Sequence, residues 1–394
     1  MDHWFRYDKR IFKYFDYTLM IQILPLLLIS SFLINEINPD LFKKQMLYYG
    51  IGAVAFFLSS FVPWRKIIWW FVPILYTLNL LLLVAVDLVG KTILGAQRWI
   101  EIPGTGLTIQ PSEFVKVSVI MMLAWIISKK PPPEQGYGLV SFVKLSLIIL
   151  IPFLLIAKEP DLGTALVLLI TGYGILFVIG INWKIWVVIA VVAGSAAPVL
   201  YSHLHDYQKK RITDFLGKPS YHVQQALIAI GSGGVKGKPK EEATQTQLKF
   251  LPISSSDFIF AFLGERFGFT GMMIVITLYI LLILHLFYIA IRNSTDYMVR
   301  TFASGIALLI FIYMSVNIYM IIGLAPVVGV PLPMFSHGGT SFIIFAVMFG
   351  ILQNLLAFKK FLMYNPDSKI SMTPTEAQSS ERSERRKRVS SSVG

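Results

Sequence analysis

Apolar runs of bilayer-crossing length return along the chain at 17–34, 46–62, 67–86, 113–128, 139–157, 162–181, 185–201, 269–291, 301–323 and 340–358. A bilayer core takes about 20 apolar residues per helix. Inside it no water satisfies backbone N–H and C=O groups, so each run must close its own hydrogen bonds as an α-helix. The fold class expected is therefore an all-α integral membrane protein with ten transmembrane helices and a large extracytoplasmic loop between helices 7 and 8. Composition agrees: 55% of residues are hydrophobic and 14% are charged, where soluble domains carry roughly 25% charged residues. With no cysteine among 394 residues, disulfides and thiolate–metal sites are excluded.

Two of the connections are tight hairpins, Pro63 to Lys66 and Asn182 to Lys184. The opening MDHWFRYDKRIFKYFD has no small-residue cleavage site, so the first run is expected to stay in the membrane. Positive residues hold short loops in the cytoplasm. With the N-terminus inside, the inner loops hold Lys9, Arg10, Lys13, Arg65, Lys66, Lys129, Lys130, Lys184, Arg292, Arg300, Lys359 and Lys360. The short outer loops hold fewer: Lys43, Lys44, Lys91, Arg98 and Lys158. Both termini are thus expected in the cytoplasm. The net charge of +13 is read as membrane-flanking cations and tail, with no nucleic-acid partner. Residues 1–364 form the membrane domain, and 365–394, rich in Ser, Glu, Arg and Lys, form a disordered basic cytoplasmic tail.

Polar chemistry collects on the outer side, in the loop 87–112, the turn 158–161, the large loop 202–268 and the Gly/Pro-rich loop 324–339. Asp257 lies where the large loop gives way to an apolar helix, behind Ser254, Ser255 and Ser256. A carboxylate at the mouth of a membrane helix is costly to desolvate and marks a functional position. A helix cap is the plain alternative, although the neighbouring serines serve that purpose equally well.

Four further constellations stand out. In QPSEFVK (110–116), Glu113 and Lys116 are three apart on one helical face, as a structural ion pair or with Lys116 facing an anionic headgroup that Glu113 orients. In KEPDLGT (158–164), Asp161 can cap the next helix and Lys158 is a cation for a lipid phosphate. The large loop carries Lys209, Lys210 and Arg211, then Gln224 and Gln225, then Gly231 to Gly234. This is either a flexible loop or a place for phosphate and sugar hydroxyls, and no nucleotide-binding glycine motif is present. The loop from Pro326 to Ser341 includes Ser336 and His337, and irregular backbone at membrane depth persists where it is buried or lines a cavity. No histidine spacing fits a metal site, but a divalent cation bridging carboxylate and phosphate oxygens leaves no such signature.

Taken together, GAQRWI (95–100), QPSEFVK (110–116), KEPDLGTAL (158–166), YHVQQALIAIGSGG (221–234), TQTQLKFLPISSSDFIFAFLGERFGF (244–269) and PVVGVPLPMFSHGGTSF (326–342) resemble the SEDS family, the shape, elongation, division and sporulation proteins. Within it, YHVQQ and TQTQLKFLP are more similar to the rod-shape branch than to the division branch. The chain departs from the family pattern at Ser255 and Ser256, at Arg266 where a second acidic residue is usual, at His337 where Tyr is common, and in the GKPKEEATQ stretch.

The resemblance implies a peptidoglycan glycosyltransferase of the bacterial cytoplasmic (inner) membrane that polymerises lipid II on the outer face, with a class B penicillin-binding protein as transpeptidase partner. The catalytic residues carried over are Asp257, Glu113 and Lys116. As general base, Asp257 takes the proton of the acceptor 4-hydroxyl while a polyprenyl-pyrophosphate-linked glycan strand is transferred with inversion. Lys116, Lys158 and Arg211 stabilise the departing pyrophosphate, with Mg2+ or Mn2+ as an optional helper and no protein ligand motif for it. Gln224, Gln225, Ser254 and Ser336 are the remaining substrate-binding candidates. Two other classes compete: a flippase, which would use the same lipid-linked precursor, and a non-catalytic scaffold of a cell-wall complex, which would not require Asp257. A flippase should carry midplane charges on several helices, whereas here the acids and bases gather at the outer ends.

Overall fold

Short polar side chains start several helices where the apolar runs begin. In the computed structural model, which describes residues 9–93, 96–101, 108–159, 161–202, 209, 213, 217, 220–243 and 256–364, Asp16 caps α1 (Tyr17–Ile37) by accepting from the Leu19 N–H at 3.2 Å. Asn38 ends α1 and starts α2 (Pro39–Phe61), its side chain accepting from the Asp40 N–H at 2.8 Å. One residue thus makes the whole turn between two antiparallel helices. α3 spans Trp64–Val89, α4 Pro111–Lys129, α5 Leu139–Lys158, α6 Leu162–Ile179 and α7 Trp183–Ser202. They are followed by α8 (Tyr221–Gly233), α9 (Ile259–Arg292), α10 (Tyr297–Ile321) and α11 (Gly339–Tyr364).

Eight of these helices are long and apolar enough to cross a membrane: α1, α3, α4, α5, α6, α9, α10 and α11. α2 covers the expected run 46–62 but carries Asp40, Lys43, Lys44 and Gln45 in its first two turns. The apolar part of α7, Trp183–Ala196, is shorter. The multi-pass helical architecture therefore stands, while length and composition alone do not establish ten crossings. One departure from an all-helical chain is a small antiparallel sheet in the loop 87–112. It is ordered β1-β2-β3 from Lys91–Ile93, Ala96–Glu101 and Thr108–Ile109.

The described residues divide into two units. The smaller comprises those before Asp16 and those from Leu355 onward. Phe15 and Ala357 form its core with Tyr14 and Phe358 against them, and the Phe12 and Phe15 rings lie 5.3 Å apart.

The larger unit, Asp16–Asn354, is organised around α10, which packs against α4, α6 and α9. α10 is buried on nearly every side, so its few polar residues face protein. α9 starts ten residues earlier than the expected run at 269 and is broken at Gly268, where φ is +63° and ψ is −163°. That left-handed φ suits glycine. The N–H groups freed by the break are satisfied from outside the helix: Phe269 donates to the Gly234 carbonyl at 2.9 Å and Thr270 to the Val235 carbonyl at 3.1 Å. Part of the expected loop 202–268 is accordingly helix, in α8 and in the first segment of α9.

Candidate active site

Asp257 lies in the turn of residues 256–258 that opens α9, and it does not cap the helix. The N-cap position falls to Phe258, with no side-chain cap hydrogen bond. Asp257 Oδ1 accepts from the Ser256 hydroxyl at 2.9 Å. Its Oδ2 has no hydrogen-bond partner among the described residues and faces Gly329, where an added Cβ would stand 3.3 Å from it. Burial pushes the carboxyl above its ordinary value of 3.8, and the Ser256 hydroxyl pulls it back by less. A half-buried carboxylate with one oxygen anchored, the other without a partner among the described residues and a raised pKa is suited to accept a proton.

Long-range ties fix this turn. Asn317 of α10, fully buried, donates through Nδ2 to the Asp257 carbonyl at 2.8 Å and to the Val330 carbonyl at 2.7 Å. Ser336 is also buried. Its hydroxyl donates to the Ser256 carbonyl at 2.8 Å and accepts from the Leu332 N–H at 2.8 Å. Ser336 therefore faces inward and supports the Asp257 turn.

Lys116 is buried as well, at 1% exposure. Its ammonium lies 2.5 Å from Glu113 Oε1, touches the Tyr313 hydroxyl and sits 4.6 Å from the Tyr313 ring centroid. A buried ammonium is tolerable only with such a partner. The pair predicted from the spacing in QPSEFVK is real, and a third member, Tyr313, joins it from α10. Phe345 packs edge-on against Tyr313 at 6.0 Å. Tyr313 and Asn317 are four residues apart, about 6 Å along the helix at 1.5 Å per residue. One turn of α10 thus holds both Lys116 and the Asp257 turn.

Asp161 does cap α6, accepting from the Thr164 N–H at 3.3 Å, and it has further partners. Arg98 of β2 approaches Oδ1 at 3.4 Å, and Gln110, the residue before α4, donates to Oδ2 at 3.0 Å. These contacts bind the sheet to the starts of α4 and α6. Lys158 ends α5 with an exposed side chain.

On α8, Gln224 is exposed and Gln225 half-buried. His222 of the same helix lies against Phe258, ring centroids 6.1 Å apart, which places this helix beside the Asp257 turn. The glycine run ending α8 makes its close approach to α9. A Cβ on Gly233 would stand 2.0 Å from the Gly264 carbonyl oxygen, and one on Gly237 would stand 2.2 Å from that of Arg266. Arg266, where the family pattern has an acid, pairs in bidentate fashion with Glu36 of α1 at 2.7 and 2.9 Å and donates to the Lys238 carbonyl.

Arg211, Ser254 and the tail 365–394 lie outside the described residues. Among the described residues no group of three or more His, Asp or Glu side chains could hold a metal ion. Sequence reasoning missed Tyr313 and Asn317. The available signal was a single amide, Asn317, within the apolar run 301–323, where an amide in a membrane span needs a partner.

Residues 9–361 match the family described as cell cycle protein, FtsW/RodA/SpoVE. The chain is 51% identical over 359 residues to a peptidoglycan glycosyltransferase MrdB of Helicobacter pylori, covering 91% of this chain and 94% of that one. It is 37% identical over 360 residues to the protein of the same name from Escherichia coli K12, covering 88% and 95%. A chain from a structure described as structural coordination of polymerization and crosslinking by a peptidoglycan synthase complex superposes with a TM-score of 0.76 at 26% identity, over 88% of this chain and 98% of that one. The rod shape determining protein RodA of Thermus thermophilus superposes with a TM-score of 0.65 at 27% identity, over 88% and 97%. With a match running over residues 9–361, this chain belongs to the FtsW/RodA/SpoVE family.

Proposed function

We propose that this chain is a peptidoglycan glycosyltransferase that polymerises lipid II into glycan strands on the outer face of the cytoplasmic membrane, with Asp257 as general base. The observation that carries this reading is the Asp257 carboxylate itself: Oδ1 tied to Ser256, Oδ2 without a partner among the described residues, and the whole turn clamped by Asn317. Oδ2 takes the proton of the acceptor 4-hydroxyl as that oxygen attacks the anomeric carbon of the donor. The bond from that carbon to the pyrophosphate oxygen breaks, the pyrophosphate leaves with the electron pair, and the centre is inverted.

The departing pyrophosphate needs cations. Lys158 is exposed and is assigned here to meet it, with Arg211 as a second cation. Lys116 is sealed against Glu113 and Tyr313 and acts in this reading by keeping the start of α4 in place and adding positive potential from beneath. Gln224 and Gln225 face the sugar or peptide amides, and Ser254 lies in the chain leading to the base. A divalent cation, Mg2+ or Mn2+, would be held chiefly by the pyrophosphate oxygens, since the described residues supply no cluster for it. It would neutralise charge there when bound.

Both termini lie in the cytoplasm, and a class B penicillin-binding protein is the transpeptidase partner. The partner assignment is supported by the likeness to a chain of a peptidoglycan synthase complex. The flippase and scaffold alternatives are separated by one assay. Purified chain given lipid II and divalent cation forms glycan strands under this reading, and a transporter or scaffold forms none.

A further inference from the structure

We propose that Asn317 is a positioning residue for strand synthesis, holding the Asp257 turn and the Gly329–Val330 segment in one fixed relation. The proposal rests on the reading of Asp257 as the base. Three observations carry it. Asn317 is fully buried, one turn from the end of α10. Its amide nitrogen spends its two donors on two carbonyls from separate stretches of chain, Asp257 sixty residues before it and Val330 thirteen after. Its Oδ1 is buried without a hydrogen-bond partner among the described residues.

That last point weighs against simple packing. A buried acceptor without a partner among the described residues is unfavourable, and leucine would fill similar space without one. What leucine cannot do is draw two irregular segments together from a rigid helix. Those segments carry the two sides of the reacting carboxylate: Asp257 bears it, and Gly329 is the surface that Oδ2 faces. Without the clamp, the base keeps its chemistry and loses its aim.

The test uses the full chain purified in detergent, with wild type, Asn317→Leu, Asn317→Ser and Asp257→Asn compared on lipid II and Mn2+. Size-exclusion profiles and thermal melts report folding, and kcat, KM and the acid limb of the pH profile report function. Asn317→Leu is expected to fold and to lose about a hundredfold in kcat, the scale of a misplacement near 1 Å, with KM little changed. Its acid limb should move to lower pH as the loosened carboxylate gains water. Asn317→Ser, keeping one short donor, should lose less, and it carries the same readings if the leucine variant does not fold. The proposal is overturned if kcat of the folded variants stays near wild type, if the loss lies in KM, if kcat falls with the acid limb unmoved, or if neither variant folds, which would make the amide a structural tie. Asp257→Asn at the wild-type rate removes the base and this proposal with it. A slow Asp257→Asn beside a fast Asn317→Leu removes the proposal alone.

Discussion

Lys116 and Asp257 belong to different parts of the bundle, yet each is held by α10. Tyr313 touches the Lys116 ammonium, and Asn317, one turn further along, holds the Asp257 carbonyl at 2.8 Å. α10 packs against α4, α6 and α9, so the geometry of both groups is set by a helix that itself carries neither the proposed base nor the buried ion pair.

The buried pair on α4 separates stability from chemistry. Taking one partner from a buried ion pair leaves an uncompensated charge, at a cost of about 3–5 kcal/mol, while replacing both by apolar groups is often neutral or stabilising. Glu113→Leu and Lys116→Met alone should each lower the melting temperature sharply, and the double variant should recover most of it. The double variant is still expected to polymerise lipid II at well under a tenth of the wild-type rate. Full activity in a stable double variant would mean that the pair serves the fold only.

Burial raises the Asp257 pKa and the Ser256 hydroxyl lowers it, which fixes the sign of a pH experiment. The base must be ionised to act, so the rate rises with pH through a value above 3.8 and then levels off. Removing the lowering hydrogen bond in Ser256→Ala should move this acid limb to higher pH. A limb that moves down, or stays where it is, would detach the pH dependence from this carboxylate.

Much of this arrangement could be read in the chain before any coordinates. The apolar runs located helices, eight of them among the described residues long and apolar enough to cross a membrane, the three-residue spacing in QPSEFVK predicted the Glu113–Lys116 contact, and Asp161 caps α6 as its position suggested. Asp257 stood out because a carboxylate does not belong at the start of a membrane helix without a reason. The partners contributed by α10 were not legible. Tyr313 and Asn317 contact residues 197 and 60 positions away, and periodicity within one apolar run carries no information about such distances. The glycines after α8 were ambiguous for the same reason. They read as a flexible loop or a place for phosphate and sugar hydroxyls, and the close approach of Gly233 to the backbone of α9 emerges only from the packing of the two helices. Ser336 read as a substrate-binding candidate, and its inward tie to Ser256 was not legible because it joins segments eighty residues apart.

The junction of α8 and α9 should tolerate no added methyl. In Gly233→Ala the new Cβ would meet the Gly264 carbonyl oxygen at 2.0 Å, so the helices must separate, at a cost of about 1–3 kcal/mol for an overpacked contact. Gly231→Ala, with open space around the glycine, is the matched control and should melt at or slightly above wild type. Equal melting temperatures for the two variants would contradict the packing.

Arg266 ties α9 to α1 through Glu36 in a two-bond fork. Lysine keeps the charge but not the planar fork, and Arg266→Lys is expected to cost about 1–2 kcal/mol, the scale of a lost charge-assisted hydrogen bond. A thermal melt in detergent checks this. An unchanged melt would show that the fork adds nothing beyond the attraction of two charges.

Asp257→Asn tests the central claim most directly. The amide keeps the size of the side chain and its contact with Ser256 while removing the ability to take a proton. Folded Asp257→Asn, given lipid II and divalent cation, should show a strand-synthesis rate lower by about 10²–10⁴-fold, the usual share of a general base. Strands made at the wild-type rate would contradict it.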